Sequence, residues 1–387
     1  MEDMRALAVA TRQRLSAAQA QITSIWQKNQ HGRDLLINRA ALVDEVLREL
    51  WVTLDIPADI ALVAVGGYGR GALYPASDVD LLILQPESAA PLHEISPHKE
   101  KIETLVGILW DIGLDIGHSV RTISECLAES ARDITVQTSL LETRYLIGDA
   151  GLYESFEKSF RDALNPVAFF KAKQLEQAER YARYNDTPYS LEPNCKENPG
   201  GLRDLQMIRW VARAAQLGNT WQDLAHAGII TAIEARLLAR SESRLREIRI
   251  HLHLLAGRRE DRLLFDYQGK LADILSMKAT EAKRASEVLM QHYYKTAKLV
   301  TQLNTLTMQA LADHLLPAQT GAPIVINSHF QSVRELLDVR EDDTFERSPS
   351  ALLECFLLQM QRGELKGMTP RTLRALWRAR HRINTQF

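Results

Sequence analysis

Cysteine is scarce in this chain: three in 387 residues, Cys126, Cys195 and Cys355, far apart, odd in number and without a CxxC pair. That excludes a Cys-rich zinc site and suits a reducing cytoplasm. No uninterrupted apolar run approaches the roughly 18 residues of a membrane span. The opening MEDMRALAVATRQRL lacks an apolar core of signal-peptide length. A soluble, cytoplasmic protein with no membrane partner is expected. An excess of one charge is missing too, with 47 Lys+Arg against 49 Asp+Glu and a net charge of −2. A general nucleic-acid binder shows a high pI or a concentrated basic stripe, so nucleic acid is not an expected partner. Internal repeats and low-complexity tracts are also absent.

What is present is mostly helix around one α/β segment. A chain of 387 residues exceeds the size at which one core stops growing, so two or three domains are expected. Residues 4–27 and 33–54 carry apolar positions at helical spacing on either side of a breaker, Gln30-His31-Gly32. Residues 60–65 and 79–84 read as short buried strands, and 114–122 as a third, with an amphipathic helix at 97–110 between the last two. Ser124 begins further helix, and from Asp133 onward long helical patterns dominate, at 134–147, 168–184, 204–217, 230–256 and 278–312. An irregular loop, NDTPYSLEPNCKENPGGLRD, interrupts it at 185–204. Residues 317–349 read as loop with a little strand, followed by helices at 350–363 and 369–383. The expected fold is therefore α+β: a small mixed-sheet domain at 56–150, a helical pair at 1–55 packed on it, and a large all-helical companion at 151–316. Residues 317–387 are expected to be a linker with C-terminal helices.

The chemistry sits in VGGYGRGALYPASDVDLLIL, residues 65–84. Asp78 and Asp80 are two apart on a strand, so they share a face with α-carbons about 6.5 Å apart. Two carboxylates that close raise each other's pKa unless a cation lies between them. A further acid, Asp115, stands between Leu114 and Ile116 on the third strand. Hard divalent cations such as Mg²⁺ or Mn²⁺ take oxygen ligands and keep phosphate oxygens in their shell, and two of them serve in-line displacement at phosphorus. Gly66 and Gly67, where a strand ends, let backbone N–H groups approach a phosphate. Ser77 adds a small donor, and Arg70 a fork for a departing pyrophosphate.

Gly-Gly, then Asp-x-Asp, then an isolated third acid resembles the signature of the DNA-polymerase-β-like nucleotidyltransferases. The match narrows with LWDIGLDIGHSVRT, LEPNCKENPGGLRDLQ and the RLLFD run at 262–266. Together these blocks resemble the GlnD family of PII-protein uridylyltransferase/uridylyl-removing enzymes over almost the whole chain from about residue 30. The resemblance implies metal-dependent transfer of UMP from UTP to a tyrosine hydroxyl of the PII nitrogen-signalling protein, with pyrophosphate released. Asp78, Asp80 and Asp115 would be the catalytic and metal-binding residues. Gly66, Gly67, Arg70, Ser77, Lys196, Arg203 and Asp204 would contact the nucleotide. Full-length members continue with a His-Asp phosphohydrolase domain and two ACT domains, whereas none of the 11 histidines here is followed by aspartate. Uridylyl removal is accordingly expected to be absent from this chain, which reads as part of a longer enzyme.

Each assignment has a plainer counterpart. Asp115 could cap a turn after Gly113, Arg70 and Arg121 could form structural ion pairs, and Gly200-Gly201 could simply start a helix. His251 and His253 differ by about 200° on a helix and so read as packing or surface residues; His118 is a minor site candidate. The basic tail WRARHR at 377–382 would complement a helix C-terminus. A different enzyme, adenylyl transfer to a protein such as glutamine synthetase, and a non-catalytic PII-binding module are the rival functions.

Overall fold

The computed structural model describes residues 2–29, 31–87, 97–316 and 322–379. Two antiparallel helices open the chain, α1 (Glu2–Asn29) and α2 (Gly32–Thr53). A four-stranded sheet follows, built from β1 (Ala61–Ala64), β2 (Val79–Leu84), β3 (Ile116–Arg121) and β4 (Arg144–Gly148). Between the strands lie α3 (Gly66–Gly69), α4 (Pro97–Asp111), α5 (Ile123–Arg132) and α6 (Ile134–Leu141). The strand order is β3-β2-β1-β4, with β2 and β3 parallel and the other two pairs antiparallel. The mixed sheet expected from the sequence is therefore present.

β4 is the element that helical spacing hides. Residues 134–147 read as one helix, but α6 stops at Leu141 and Arg144–Gly148 pairs antiparallel with β1. A strand edge on β1 outweighs local propensity, as the backbone groups of β1 would otherwise be buried without partners. The turn out of β4 needs Gly148, at φ +103, because a Cβ there would lie 2.2 Å from the Ile60 carbonyl oxygen.

Alternation along the strands divides the interior. Leu62 and Ala64 of β1 and Leu81 and Ile83 of β2 face Val43, Leu47 and Leu50 of α2 and Leu105 and Leu109 of α4. Ala61 and Val63 of β1 and Leu82 and Leu84 of β2 face the other way, into a core continuous with the helical part. Asp78 and Asp80 share the register of Leu82 and Leu84, so the acidic pair points toward the helices rather than toward α2.

The helical part comprises α7 (Ala150–Ala163), α8 (Pro166–Arg183), α9 (Leu202–Ala214), α10 (Trp221–His226), α11 (Ala232–Ala256), α12 (Phe265–Ile274) and α13 (Ala285–Leu315). Asn165 caps α8, and Thr231 with Glu234 forms a capping box on α11. Sequence spacing passes over α7, α10 and α12. The sheet and this part share one core, in which Phe156 and Phe160 of α7 join Val63 and Leu84.

Where a linker was expected, the chain makes a third core. β5 (Ile324–Val325), β6 (Phe330–Val333), β7 (Leu336–Val339) and β8 (Gly367–Met368) form a second sheet. With α14 (Thr344–Arg347), α15 (Ala351–Gln361) and α16 (Pro370–Ala379) they enclose Phe330, Leu337, Phe345 and Cys355. Strands of two to four residues carry too little alternation to be read from sequence. Arg374 of α16 donates to Glu234 of α11 at 3.1 Å, tying this unit to the helical part. The end of the helix expected at 369–383 and the second half of WRARHR lie outside the described residues.

Candidate active site

The cleft forms where β1 runs out. Val65 is still extended and its N–H donates to the Asp80 carbonyl at 3.0 Å; Gly66 then turns to φ +58 and opens α3. Gly69 is the sterically obligatory glycine of GGYG, since a Cβ there would meet the Glu142 carbonyl oxygen at 1.8 Å. Tyr68, between them, anchors the turn from behind. Its hydroxyl donates to Asp44 of α2 at 2.5 Å, and Arg144 of β4 clamps the same carboxylate at 2.6 and 3.0 Å.

Gly66, Gly67, Arg70, Ser77, Asp78 and Asp80 line one wall of a cleft of about 310 Å³. The opposite wall comes from the helical part, with Lys173, Lys196, Arg203, Arg249 and Arg259. Asp80 is half-buried, and Gly117 lies opposite it on β3, where a Cβ would come within 2.7 Å of its Oδ1. Burial pushes the Asp80 carboxyl above its ordinary range, the negative charge of Asp78 adds to that, Arg259 opposes it, and Asp115 raises it further. Asp78 accepts from Arg259 Nη1 at 3.1 Å.

Asp115 is placed differently from the expectation. β3 begins at Ile116, so Asp115 precedes the strand, exposed and outside the cleft wall. Its carbonyl accepts from Val79 N–H at 2.8 Å, and the register extended by one residue sets it beside Asp78. His118 is exposed on the same strand and forms no part of the cleft wall.

Asp78 and Asp80 fit a hard divalent cation in donor type and in the strained charge of Asp80. Among the described residues no group of three or more His, Cys, Asp or Glu is gathered so as to hold a metal ion, although the charge of Asp115 is felt at Asp80. Asp78 and Asp80 are the cleft-wall carboxylates that would hold such a cation.

The second sequence block divides. Lys196 and Arg203 reach the cleft. Burial, with Arg249 and Arg203 nearby, brings the Lys196 ammonium down to about 8. Arg203 forks onto Glu197 at 2.9 and 3.3 Å and lies over the Trp210 ring, its centroid 5.3 Å away. Asp204 points the other way and is fully buried. It accepts from Arg180 at 2.5 Å, Tyr181 at 2.6 Å and the Gly200 N–H at 2.7 Å, leaving no room for a nucleotide contact. Its place is to hold the loop, whose Gly200 at φ +81 packs against the Ala297 backbone. Arg70 combines both of its readings: it pairs with Glu142 and still lines the cleft.

Several residues escape sequence reasoning. Arg259 is 181 positions from the aspartate it meets, and no local pattern links them. His253 is buried and holds the acidic loop, its Nδ1 accepting from Ala76 N–H at 3.3 Å while Nε2 donates to Asp261 at 3.1 Å. Burial alone would raise Asp261, but His253 and Arg249 hold it well below the carboxylate range. Arg249 also lies over the Tyr74 ring at 4.0 Å, so α11 grips the loop from Tyr74 to Ala76.

Comparison with known families agrees with this geometry. Residues 43–141 match the nucleotidyltransferase domain, 168–308 match GlnD PII-uridylyltransferase, and 330–387 match the third domain of uridylyltransferase GlnD. The chain belongs to the GlnD PII-uridylyltransferase family. It is 56% identical over 384 residues to the bifunctional uridylyltransferase/uridylyl-removing enzyme of Aromatoleum aromaticum, covering 99% of this chain and 44% of that protein. The enzyme of the same description from Bordetella parapertussis is 50% identical over 380 residues, with 97% and 43% covered, and that from Nitrosospira multiformis 47% over 379, with 98% and 43%. The chain thus spans less than half the length of these relatives. Its third core coincides with the third-domain match, which explains why residues 330–379 are a folded unit.

Proposed function

We propose that this cleft transfers UMP from UTP to a tyrosine hydroxyl of the PII signalling protein and releases pyrophosphate. The observation that carries the reading is the pairing of Asp78 and Asp80 at a glycine turn, facing a wall of Lys196, Arg203, Arg249 and Arg259. A Mg²⁺ or Mn²⁺ ion on the two carboxylates would neutralise triphosphate charge and favour the phenolate of a tyrosine whose ordinary pKa is about 10. The protein's own groups do the rest. Lys196, Arg203 and Arg259 hold phosphate oxygens, and the bare backbone at Gly66 and Gly67 lets the chain of phosphates approach. Exchange of Arg259 from Asp78 to a phosphate oxygen accompanies nucleotide entry. Ser77 donates beside the pair. Asp115, exposed beside Asp78, takes the phenol proton in this reading.

The three cysteines are free and buried, in keeping with a cytoplasmic enzyme. Among the described residues no helix is long and apolar enough to cross a membrane, and the reading involves neither membrane nor nucleic acid. It assigns transfer to these residues and not uridylyl removal, which the family places in its His-Asp domain.

Incubation with α-labelled UTP or ATP, Mg²⁺ and either PII or glutamine synthetase tests this directly. Label on a PII tyrosine from UTP alone is the expected result. Label from ATP on glutamine synthetase would replace the reading with adenylyl transfer, and PII binding without label would reduce the chain to a docking module.

A further inference from the structure

Behind the pair formed by Arg70 and Glu142 lies a second cleft, of about 370 Å³, between α2, α9 and α11. It shares Arg70, Ala72, Tyr74, Glu142 and Gln206 with the first cleft, so the two clefts meet at that pair and its neighbours. Its charge is out of balance. Four guanidiniums line it, Arg33, Arg70, Arg209 and Arg246, against two carboxylates, Glu142 and Glu242.

Glu242 is heavily shared. It accepts from Arg209 at 2.8 Å, from Trp221 Nε1 at 3.0 Å, and pairs with Arg246 at 3.4 Å. Glu142 is taken by Arg70. Arg209 is stacked over Trp221, 4.7 Å from the ring centroid, and its Nε is buried without a hydrogen-bond partner. Arg33 is exposed and has no ion-pair partner among the described residues. Burial disfavours the Arg209 charge, Glu242 restores part of it, and Arg70 and Arg246 then press against it. Four guanidiniums facing only two carboxylates suit a compact oxyanion, which offers each fork a pair of acceptors.

We propose that this second cleft binds inorganic pyrophosphate, receiving the leaving group of the transfer reaction past Arg70. The choice of pyrophosphate rests on the uridylyltransfer reading; the binding itself does not. Arg70 faces Gly67 on one side, where a Cβ would lie 3.7 Å from its Nη2, and Glu142 on the other. It can therefore follow an anion from the catalytic wall to the second cleft while Glu142 remains behind. Removing pyrophosphate this way separates it from the new phosphodiester and disfavours reversal.

The test is calorimetric titration of the full chain with inorganic pyrophosphate, without nucleotide, PII or divalent cation, so that its outcome is independent of transferase activity. Arg246→Gln is expected to weaken binding about tenfold and the exposed Arg33→Gln about threefold, in line with forked and solvent-screened contacts respectively. Arg259→Gln, which lines only the catalytic cleft, is expected to leave this binding within about twofold of wild type. Because Arg246 is partly buried, unfolding curves accompany its variant; Arg33→Gln carries the test if that variant unfolds. Unchanged affinity in Arg33→Gln together with loss in Arg259→Gln would place the anion in the catalytic cleft and overturn the proposal. Equal weakening by Arg33→Gln and Arg259→Gln would overturn it as well, since it denotes general charge attraction.

Discussion

Asp80 and Asp204 both follow a Gly-Gly pair, yet Asp80 is half-buried beside a second carboxylate while Asp204 is enclosed by Arg180, Tyr181 and the Gly200 N–H. The difference lies in how completely each carboxylate is answered. Asp204 has its donors in place and no exposure, so its charge is spent on the fold. Asp80 is partly desolvated, repelled by Asp78 and relieved only in part by Arg259 and Lys196, so its charge awaits a ligand. A motif names residue types; the donors around each one decide between structure and chemistry.

Stability measurements on the two aspartates give the largest expected contrast. Asp204→Ala leaves Arg180 buried without its partner and should cost about 3–5 kcal/mol by urea unfolding, as broken buried ion pairs do. Asp80→Asn should leave the midpoint unchanged or raise it in metal-free buffer. The sign follows from linkage: a carboxyl raised on folding favours the native state below its unfolded pKa, and that contribution is lost as pH rises through the folded value. At neutral pH its ionised form is therefore a burden, which asparagine removes. Equal losses in both variants would break the comparison.

Within the cleft, Arg203→Ala should lower kcat/KM for UTP about tenfold, the worth of one charge-assisted fork. Unchanged UTP kinetics would assign Arg203 to Glu197 and the loop alone. Lys196 adds a pH test. With its ammonium brought down to about 8, its positive charge is present below that pH and lost above it. UTP affinity measured without acceptor should fall about fivefold between pH 7 and 9, and Lys196→Arg should flatten the profile. Stability moves oppositely, rising as pH climbs from about 8 toward the unfolded lysine value near 10.4. The smallest effect is expected at Arg259. Arg259→Gln should tighten Mn²⁺ binding without nucleotide about threefold, because an exposed ion pair no longer competes for Asp78. Weaker Mn²⁺ binding in that variant would remove Arg259 as a stand-in cation.

Much of this contrast was legible before the structure. The strand that carries Asp80, with Asp78 just before it, shows as an apolar run closed by proline, and the residue spacing alone sets both carboxylates on one face. Asp204 misleads because its partners on α8 have no sequence relation to NPGGLRD. β4 is hidden because its reason to be extended is β1, remote in the chain. Arg259, His253 and Asp261 are hidden for the same reason: each acts on the acidic loop from the helical part. Asp115 was legible as an acid near a strand, while its position one residue outside the strand was not.

The central claim is that Asp78 and Asp80 form the transferase site, and the most direct measurement is the rate of labelled UMP transfer from UTP to PII by Asp80→Asn against wild type. The account predicts a fall of more than about 10²-fold, since the metal-facing carboxylate is lost, while the variant unfolds at or above the wild-type temperature. Transfer near the wild-type rate by this folded variant would contradict it.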